Sequence, residues 1–189
     1  DLISMLPAAN IQEVLASVDV LELSPDEGGF NQGDDPDHFY IIEAGKFCVF
    51  RDIQSTGRQV ELATLSTGDF FGEEALITGD KRGTSVKATT KAKLLKVHGE
   101  QFKKSIVEPT IARESLDEIH ERLNNGATLI DVRTSEQYKL GHVPNSINLV
   151  LQLLRINSNQ LDKQSRYVVG AENQNAAAVA TFLLRVRGF

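Results

Sequence analysis

The sequence predicts a multi-domain chain: an antiparallel, jelly-roll-like β-roll with flanking helices over residues 1–110, then an α/β domain on a parallel sheet over residues 111–189. Three observations predict it. From Val20 to Val97, short runs rich in β-branched and aromatic residues are cut by Gly, Pro and Asp turns, with one helical turn among them. From Ser115 onward, helical patterns alternate with short apolar runs, as a parallel sheet requires. Between the two, Val107-Glu108-Pro109-Thr110 ends one helical pattern and Ser115-Leu116-Asp117-Glu118 opens another with a capping box, which puts the boundary near 108 to 114.

In chain order, Leu2 to Val18 carry Leu6, Ile11, Val14, Leu15 and Val18 at helical spacing, with Pro7 acceptable in a first turn, so a short amphipathic helix is expected. Val20 to Leu23 reads as a strand, followed by turn-rich residues from Ser24 to Gly29 and from Phe30 to Pro36. His38 to Glu43 and Lys46 to Arg51 are two β-rich runs around Ala44-Gly45, the pattern of a hairpin. Arg58 to Leu65 is a further strand with alternation at Val60 and Leu62. Ser85 to Ala88 and Ala92 to Val97 read as the last two strands, and Phe102 and Ile106 as the start of a helix.

Inside this series lies the stretch with chemistry, Asp69 to Val86. Glu73 and Arg82 stand nine positions apart, and Gly72 and Gly79 frame the short helical turn Glu73-Glu74-Ala75-Leu76-Ile77 between them. Amides at the start of such a turn attract negative charge, and a guanidinium can hold a phosphate through two hydrogen bonds. Glu73 would repel that phosphate, so in a ligand site it should face a hydroxyl of the same molecule, such as a ribose 2′-OH.

Phe71-Gly72-Glu73-x-Ala75-Leu76-x5-Arg82 closely resembles the phosphate-binding cassette of cyclic nucleotide-binding domains. The resemblance covers about a hundred residues around the cassette. It includes the glycines of Phe30-Asn31-Gln32-Gly33-Asp34, of Phe39 to Gly45 and of Gly68 to Gly72, which speak for the fold rather than the ligand. It implies that Glu73 holds the ribose hydroxyl and Arg82 the cyclic phosphate. Phe71, Gly72, Ala75, Gly83 and Thr84 complete the site, with backbone contacts from Gly72, Ala75 and Gly83. Glu74 departs from the aliphatic residue many members carry there and adds negative charge beside the phosphate. Many cyclic GMP binders place a threonine directly after the arginine, and here that residue is Gly83, so the resemblance favours cAMP over cGMP and leaves cyclic dinucleotides open. Residues Gln101 to Arg113 are candidates for the segment that closes the pocket.

Charge and composition bound the remaining classes. Residues 1–107 hold 11 basic and 17 acidic side chains and residues 108–189 hold 9 of each, so the net charge of −6 sits in the first half. No clustered basic face offers itself to nucleic acid. The residues after the roll do not resemble the helix-turn-helix of a transcription regulator. Cys48 is the only cysteine, which excludes an internal disulfide, and no apolar run has the length of a membrane span, so a cytoplasmic location is expected. Four scattered histidines show no metal spacing. The chain opens on Asp1 rather than Met, which suggests a fragment.

In the second half a helix from Ser115 to Leu123 leads through Asn124-Asn125-Gly126 into Thr128-Leu129-Ile130-Asp131-Val132-Arg133, a strand ending in an ion pair. Asp131-Val132-Arg133 with Glu136-x-Tyr138 and Gly141-His142-Val143-Pro144-x-Ser146-Ile147-Asn148 resembles a rhodanese domain, over about residues 114 to 189. That family accepts a sulfur atom on a thiolate at the head of the loop after the fourth strand. Here Tyr167-Val168-Val169-Gly170 reaches that loop, which reads from Ala171 to Ala177 before an Ala-rich helix to Leu184. Ala171 takes the nucleophile's place, and Gln174, Ala176 and Ala177 replace the loop's glycine, arginine and hydroxyl. Cys48, flanked by Phe47 and Val49 in the other domain, reads as a structural residue, His142 as a structural residue of the family, and Asp131 with Arg133 as a fold-holding pair. The family usually continues past Arg187-Gly188-Phe189.

The resemblances therefore imply a signalling protein that senses a cyclic nucleotide, without catalytic residues, metal or required cofactor. Its partners are the nucleotide and a protein or second copy engaging the interdomain region. Two alternatives are a nucleotide-gated thiosulfate sulfurtransferase and a scaffold in which neither site works.

Overall fold

The computed structural model describes residues 6–111 and 114–189. The start of the helix expected from Leu2 and the end of the segment expected to run to Arg113 lie outside those residues. The chain divides into two compact units, Pro7–Ile106 and Leu6 with Val107–Phe189.

The first unit opens with α1 (Ala8–Ala16), whose Pro7 fits the position before the first turn and whose Val14 is buried while Leu15 stays exposed. Eight strands follow: β1 (Asp19–Leu23), β2 (Gly28–Phe30), β3 (His38–Ala44), β4 (Lys46–Ile53), β5 (Arg58–Ser66), β6 (Phe70–Phe71), β7 (Ser85–Ala88) and β8 (Ala92–His98). They form two antiparallel sheets, in the orders β1-β8-β3-β6 and β2-β7-β4-β5. Between β6 and β7 sits α2 (Glu73–Thr78). This is the expected roll, with two differences in how it is wired.

The runs around Ala44-Gly45 do not make a hairpin. β3 pairs with β8 and β6, whereas β4 pairs with β5 and β7, so the turn carries the chain from one sheet to the other. Gly45 makes this corner at φ +98°, and a Cβ there would lie 2.5 Å from the Cβ of Ala92. The position therefore needs both left-handed backbone and the absence of a side chain. The alternation in β5 does not produce a buried face either: β5 is an edge strand, and Val60 and Leu62 are 40% and 44% exposed while only Leu65 is buried.

The core joins both sheets through Leu23, Tyr40, Ile42, Phe47, Leu65, Phe71, Val86, Ala88, Ala92 and Leu94. Its centre is aromatic: Phe71 stacks on Tyr40 (ring centroids 5.0 Å apart, 11° between planes) and tilts against Phe30 and Phe47. After β8 the chain forms α3 (Gly99–Phe102) and a π-helical turn (Lys103–Val107), with Phe102 and Ile106 fully buried as their spacing predicts. Glu13 of α1 grips this turn, its Oε2 accepting from Ser105 Oγ at 2.9 Å and from Gln101 Nε2 at 3.3 Å, with Lys104 Nζ at 3.5 Å.

The second unit begins with α4 (Glu108–Thr110), which carries Pro109 in its first turn, and α5 (Leu116–Asn124), which has the expected capping box between Ser115 and Glu118. Three parallel strands, β9 (Thr128–Asp131), β10 (Ile147–Asn148) and β11 (Tyr167–Gly170), lie in the order β10-β9-β11. Between the first two runs α6 (Ser135–Leu140), opened by a second capping box from Thr134 and Gln137. The turns between β10 and β11 include α7 (Leu154–Asn157), whose Leu154 is fully buried. The last element, α8 (Gln174–Val186), buries Val179, Ala180, Phe182, Leu183, Leu184 and Val186.

Candidate functional site

The cassette is built around a buried arginine. β6 delivers the chain to Gly72, whose left-handed backbone (φ +88°) turns it into α2, and Gly79 (φ +81°) ends that helix with its amide on the Ala75 carbonyl at 2.9 Å. The chain then reaches Arg82, whose main chain is pinned by the turn after β2. Arg82 N donates to Asp34 O at 2.9 Å, and Gly33 N donates to Arg82 O at 2.8 Å.

The Arg82 side chain points inward and is only 1% exposed. Its Nη1 donates to the Gly72 carbonyl at 2.7 Å and its Nη2 to the His38 carbonyl at 2.6 Å. The guanidinium lies 4.1 Å over the Phe30 ring, and the Asp37 carboxylate is 3.5 Å from Nη2. Burial lowers the pKa of Arg82, opposed by Tyr40, Asp37 and Glu73, and the guanidinium stays charged. Asp37 is held below the ordinary carboxylate value because the His38 imidazole, 2.9 Å away, outweighs the rise from its partial burial.

Two terminal nitrogens are thus spent on backbone carbonyls, and the third, Nε, is buried with no hydrogen-bond partner among the described residues. An orphaned buried donor on a cation is costly unless an acceptor fills its place. The amides of Gly83 and Thr84, immediately beyond, also donate to no backbone carbonyl among the described residues. Arg82 Nε and the amides of Gly83 and Thr84 are thus consecutive donors along the chain without a protein acceptor among the described residues.

Glu73, the first residue of α2, is 6% exposed and acts electrostatically on Arg82. The structure therefore buries both the acid and the arginine singled out in the sequence. Glu74 faces outward. Ala75 is buried under the helix, Gly83 is exposed and Thr84 half-buried. Phe71 differs from the others, because its side chain belongs to the aromatic core and leaves only its backbone to frame a ligand.

Phe30, Asp37, His38 and Tyr40 also belong to the site and were not singled out. Tyr40 Oη donates to the Gly29 carbonyl at 3.3 Å, and burial pushes its pKa up to about 12. The sequence signal for Phe30 was available: an aromatic residue directly after Gly28-Gly29, where a Cβ on Gly29 would approach Phe71 to 2.9 Å. Asp37 and His38 offered none, since their roles depend on β3 lying beside β6.

In the second unit, buried Asp131 and half-buried Arg133 form a bidentate pair, with Nη2 on Oδ2 at 2.6 Å and Nε within 3.1 Å of both oxygens. Burial raises the Asp131 carboxyl, but the Arg133 bonds outweigh it and leave its pKa lowered. Arg133 Nη2 also donates to the Gly141 carbonyl, and the Tyr138 and His142 rings stack at 3.9 Å, so these residues brace one another. The loop expected from Ala171 to Ala177 is shorter than predicted. β11 is the third strand of this unit among the described residues, only Ala171–Asn173 follow it outside regular structure, and α8 starts at Gln174. Asn173 caps that helix by accepting from Ala176 N at 2.9 Å, and the alanines, strong helix formers, do the rest. Gln174, Ala176 and Ala177 are therefore helical, and Glu172 adds negative charge near Arg133. Cys48 sits half-buried on β4, its pKa raised by burial and by Glu61, the reverse of an activated thiol. Among the described residues, no group of three or more His, Cys, Asp or Glu side chains has the arrangement of a metal site, and no helix is long and apolar enough to cross a membrane. Two shallow clefts, one beside Arg122 and Arg166 and one beside Lys163 and Phe189, are lined by residues of the second unit.

Residues 20–108 match the family model of the cyclic nucleotide-binding domain, and residues 115–189 that of the rhodanese-like domain. Among curated relatives, cGMP-dependent protein kinase, isozyme 1, of Drosophila melanogaster is 41% identical over 80 residues, covering 40% of this chain and 10% of the kinase. The cAMP-dependent protein kinase regulatory subunit of Dictyostelium discoideum is 34% identical over 104 residues, covering 55% of this chain and 31% of that subunit. The chain thus spans less than a third of either relative's length. Among solved structures, the regulatory domain of Toxoplasma gondii PKA with cAMP superposes with a TM-score of 0.54 at 21% identity, over 66% of this chain and 45% of that one. The regulatory subunit of a cAMP-independent protein kinase A from Trypanosoma brucei gives 0.53 at 17%, over 74% and 47%. At these identities the two structures speak for the fold alone.

Proposed function

We propose that this chain, which joins a cyclic nucleotide-binding domain at residues 20–108 to a rhodanese-like domain at residues 115–189, is a regulatory sensor of cAMP whose second domain transfers no sulfur. The observation that carries the ligand reading is the Arg82 guanidinium, buried and fixed by two carbonyls, with Nε unpartnered and the free amides of Gly83 and Thr84 following it in the chain. A cyclic phosphate offers acceptors for all three. Glu73, buried at the start of α2, takes the ribose 2′-OH, whose hydrogen bond a carboxylate can accept. Phe71, Gly72 and Ala75 frame the site. Gly83 presents no hydroxyl to a guanine, which favours cAMP over cGMP; the relatives include, by name, a cGMP-dependent protein kinase and a cAMP-dependent protein kinase regulatory subunit.

Ligand binding shifts the chain between states by its difference in affinity for them. The segment most suited to respond is the helical run after β8, where the π-helical turn at Lys103–Val107 is held by Glu13. The rhodanese-like domain, with Ala171 where a thiolate is needed and α8 already begun at Gln174, then acts as a docking module for a protein partner or a second copy. A cytoplasmic location suits the free thiol of Cys48.

Calorimetric titration of the full chain with cAMP, 2′-deoxy-cAMP and cGMP tests this. cAMP should bind most tightly, and Glu73→Gln should lose roughly tenfold or more for cAMP while leaving 2′-deoxy-cAMP nearly unchanged. No heat with any of the three would sink the ligand reading. Cyanide-dependent turnover of thiosulfate would overturn the assignment of the second domain.

A further inference from the structure

A second guanidinium stands at the exit of the cassette. β4 pairs with β7 with Phe50 opposite Ser85, which brings the next residue, Arg51, alongside the Gly83–Thr84 peptide. Arg51 Nε donates to the Gly83 carbonyl at 3.1 Å, and its Nη2 lies 3.9 Å from where a Gly83 side chain would begin. Among the described residues Arg51 makes no ion pair, whereas the neighbouring Lys81 is taken by Asp35 at 3.0 Å. The strand carrying Arg51 is itself clamped to the turn after β2, because Asp52 N donates to Gln32 Oε1 at 2.8 Å and Gln32 N donates to Ser85 Oγ at 2.8 Å.

A trans peptide points its carbonyl and its amide in opposite directions. Holding the Gly83 carbonyl therefore fixes the direction of the Thr84 N–H, and Gly83, having no side chain, supplies no orientation of its own. Arg82, whose buried Nε has no hydrogen-bond partner among the described residues, directly precedes this peptide in the chain. We propose that Arg51 is a positioning residue of the phosphate site: it sets the Gly83–Thr84 peptide and adds a second positive charge beside it. The inference rests on the cyclic nucleotide reading above and goes beyond it, since the cassette pattern contains no residue of β4.

The test compares cAMP titrations of the wild-type chain, Arg51→Gln and Arg51→Lys at low and at high ionic strength, with thermal unfolding of each unliganded protein. Arg51→Gln should raise Kd about fivefold at low ionic strength, the size of a partly exposed charge interaction, and Arg51→Lys should stay within about twofold of wild type. The difference between wild type and Arg51→Gln should shrink as salt screens the charge. Unliganded midpoints should agree, because the side chain is exposed. Wild type that binds with Arg51→Gln binding equally well overturns the role of Arg51 alone. Equal weakening in both variants with a lowered midpoint overturns it too, by showing a structural effect. Wild type that binds no cyclic nucleotide overturns the ligand reading and this inference with it.

Discussion

Replacing Arg82 with lysine separates the two jobs this side chain performs. Arginine reaches the Gly72 and His38 carbonyls at once, at 2.7 and 2.6 Å, and lies 4.1 Å over Phe30. A lysine ammonium is a point donor on a longer stem and can replace one of those bonds, leaving the other carbonyl buried and unpaired. That orphan costs about 1–3 kcal/mol, and the weakened ring contact adds about 0.5–1 kcal/mol. The unliganded first unit should therefore lose about 1.5–4 kcal/mol, which for a unit of its size lowers the midpoint by on the order of 10 °C. Ligand protection reports the second job. Wild type saturated with cAMP at about a hundred times Kd gains about 2.7 kcal/mol, and Arg82→Lys should gain nearly none of it. Differential scanning calorimetry with and without cAMP reads both quantities. Arg82→Lys unfolding at the wild-type midpoint without ligand would refute the view that this arginine is a structural strut. It also follows that lost binding in Arg82→Ala, which orphans both carbonyls, cannot alone report a phosphate contact.

The two glycines that frame α2 should respond differently to alanine. Both lie in the left-handed region, so each substitution costs about 1–2 kcal/mol of backbone strain. At Gly72, however, the new Cβ meets Arg82 Nη1 at 3.0 Å and the His38 carbonyl at 3.2 Å, whereas at Gly79 it meets nothing within 4 Å. Gly72→Ala should thus weaken cAMP binding roughly tenfold or more while Gly79→Ala leaves affinity near wild type, and equal affinities in a titration would contradict the packing around Arg82. Stability should also fall at both ends of the pH range. The Asp131 carboxyl is lowered in the folded chain, so its contribution is present above the ordinary carboxylate value and is lost as pH drops through the folded one. Tyr40 is raised to about 12, so the folded state favours the neutral phenol and that contribution is lost as pH rises from 10.0 toward 12. Denaturation midpoints followed across pH should show the alkaline loss in wild type and a smaller one in Tyr40→Phe.

Local chemistry was legible in the sequence and long-range wiring was not. Glu73, Gly72, Gly79 and Arg82 declare themselves because the cassette is one short stretch whose spacing encodes its turn. The capping box at Ser115 and the parallel strands at Thr128 and Tyr167 were visible for the same reason. Phe30, Asp37 and His38 surround Arg82 from distant parts of the chain; the glycine pair before Phe30 is a local mark, but nothing in the neighbourhoods of Asp37 and His38 marks them. A turn such as Ala44-Gly45 looks alike whether it closes a hairpin or rounds a corner between sheets. The difference lies in Ala92 beneath it. Apolar alternation in β5 promised a buried face, yet burial depends on what covers a strand, and β5 is at an edge. In the second unit the family pattern favoured a long loop up to Ala177, and local alanine propensity with an Asn173 cap won.

The pairing of β1 with β8 sets the order of events during synthesis. Asp19 meets Lys96 and Leu23 meets Ala92, so the sheet that carries His38 is completed by its first and last strands. Such pairings join residues far apart in the chain and form late, since the intervening loop must close before they are repaid. A ribosome that has released Arg82 has still not released all of β8, and the carbonyl of His38 lacks its neighbouring strand until it does. The nucleotide cradle is thus among the last features of the first unit to mature, and nascent chains should become able to retain ligand only after His98 has emerged.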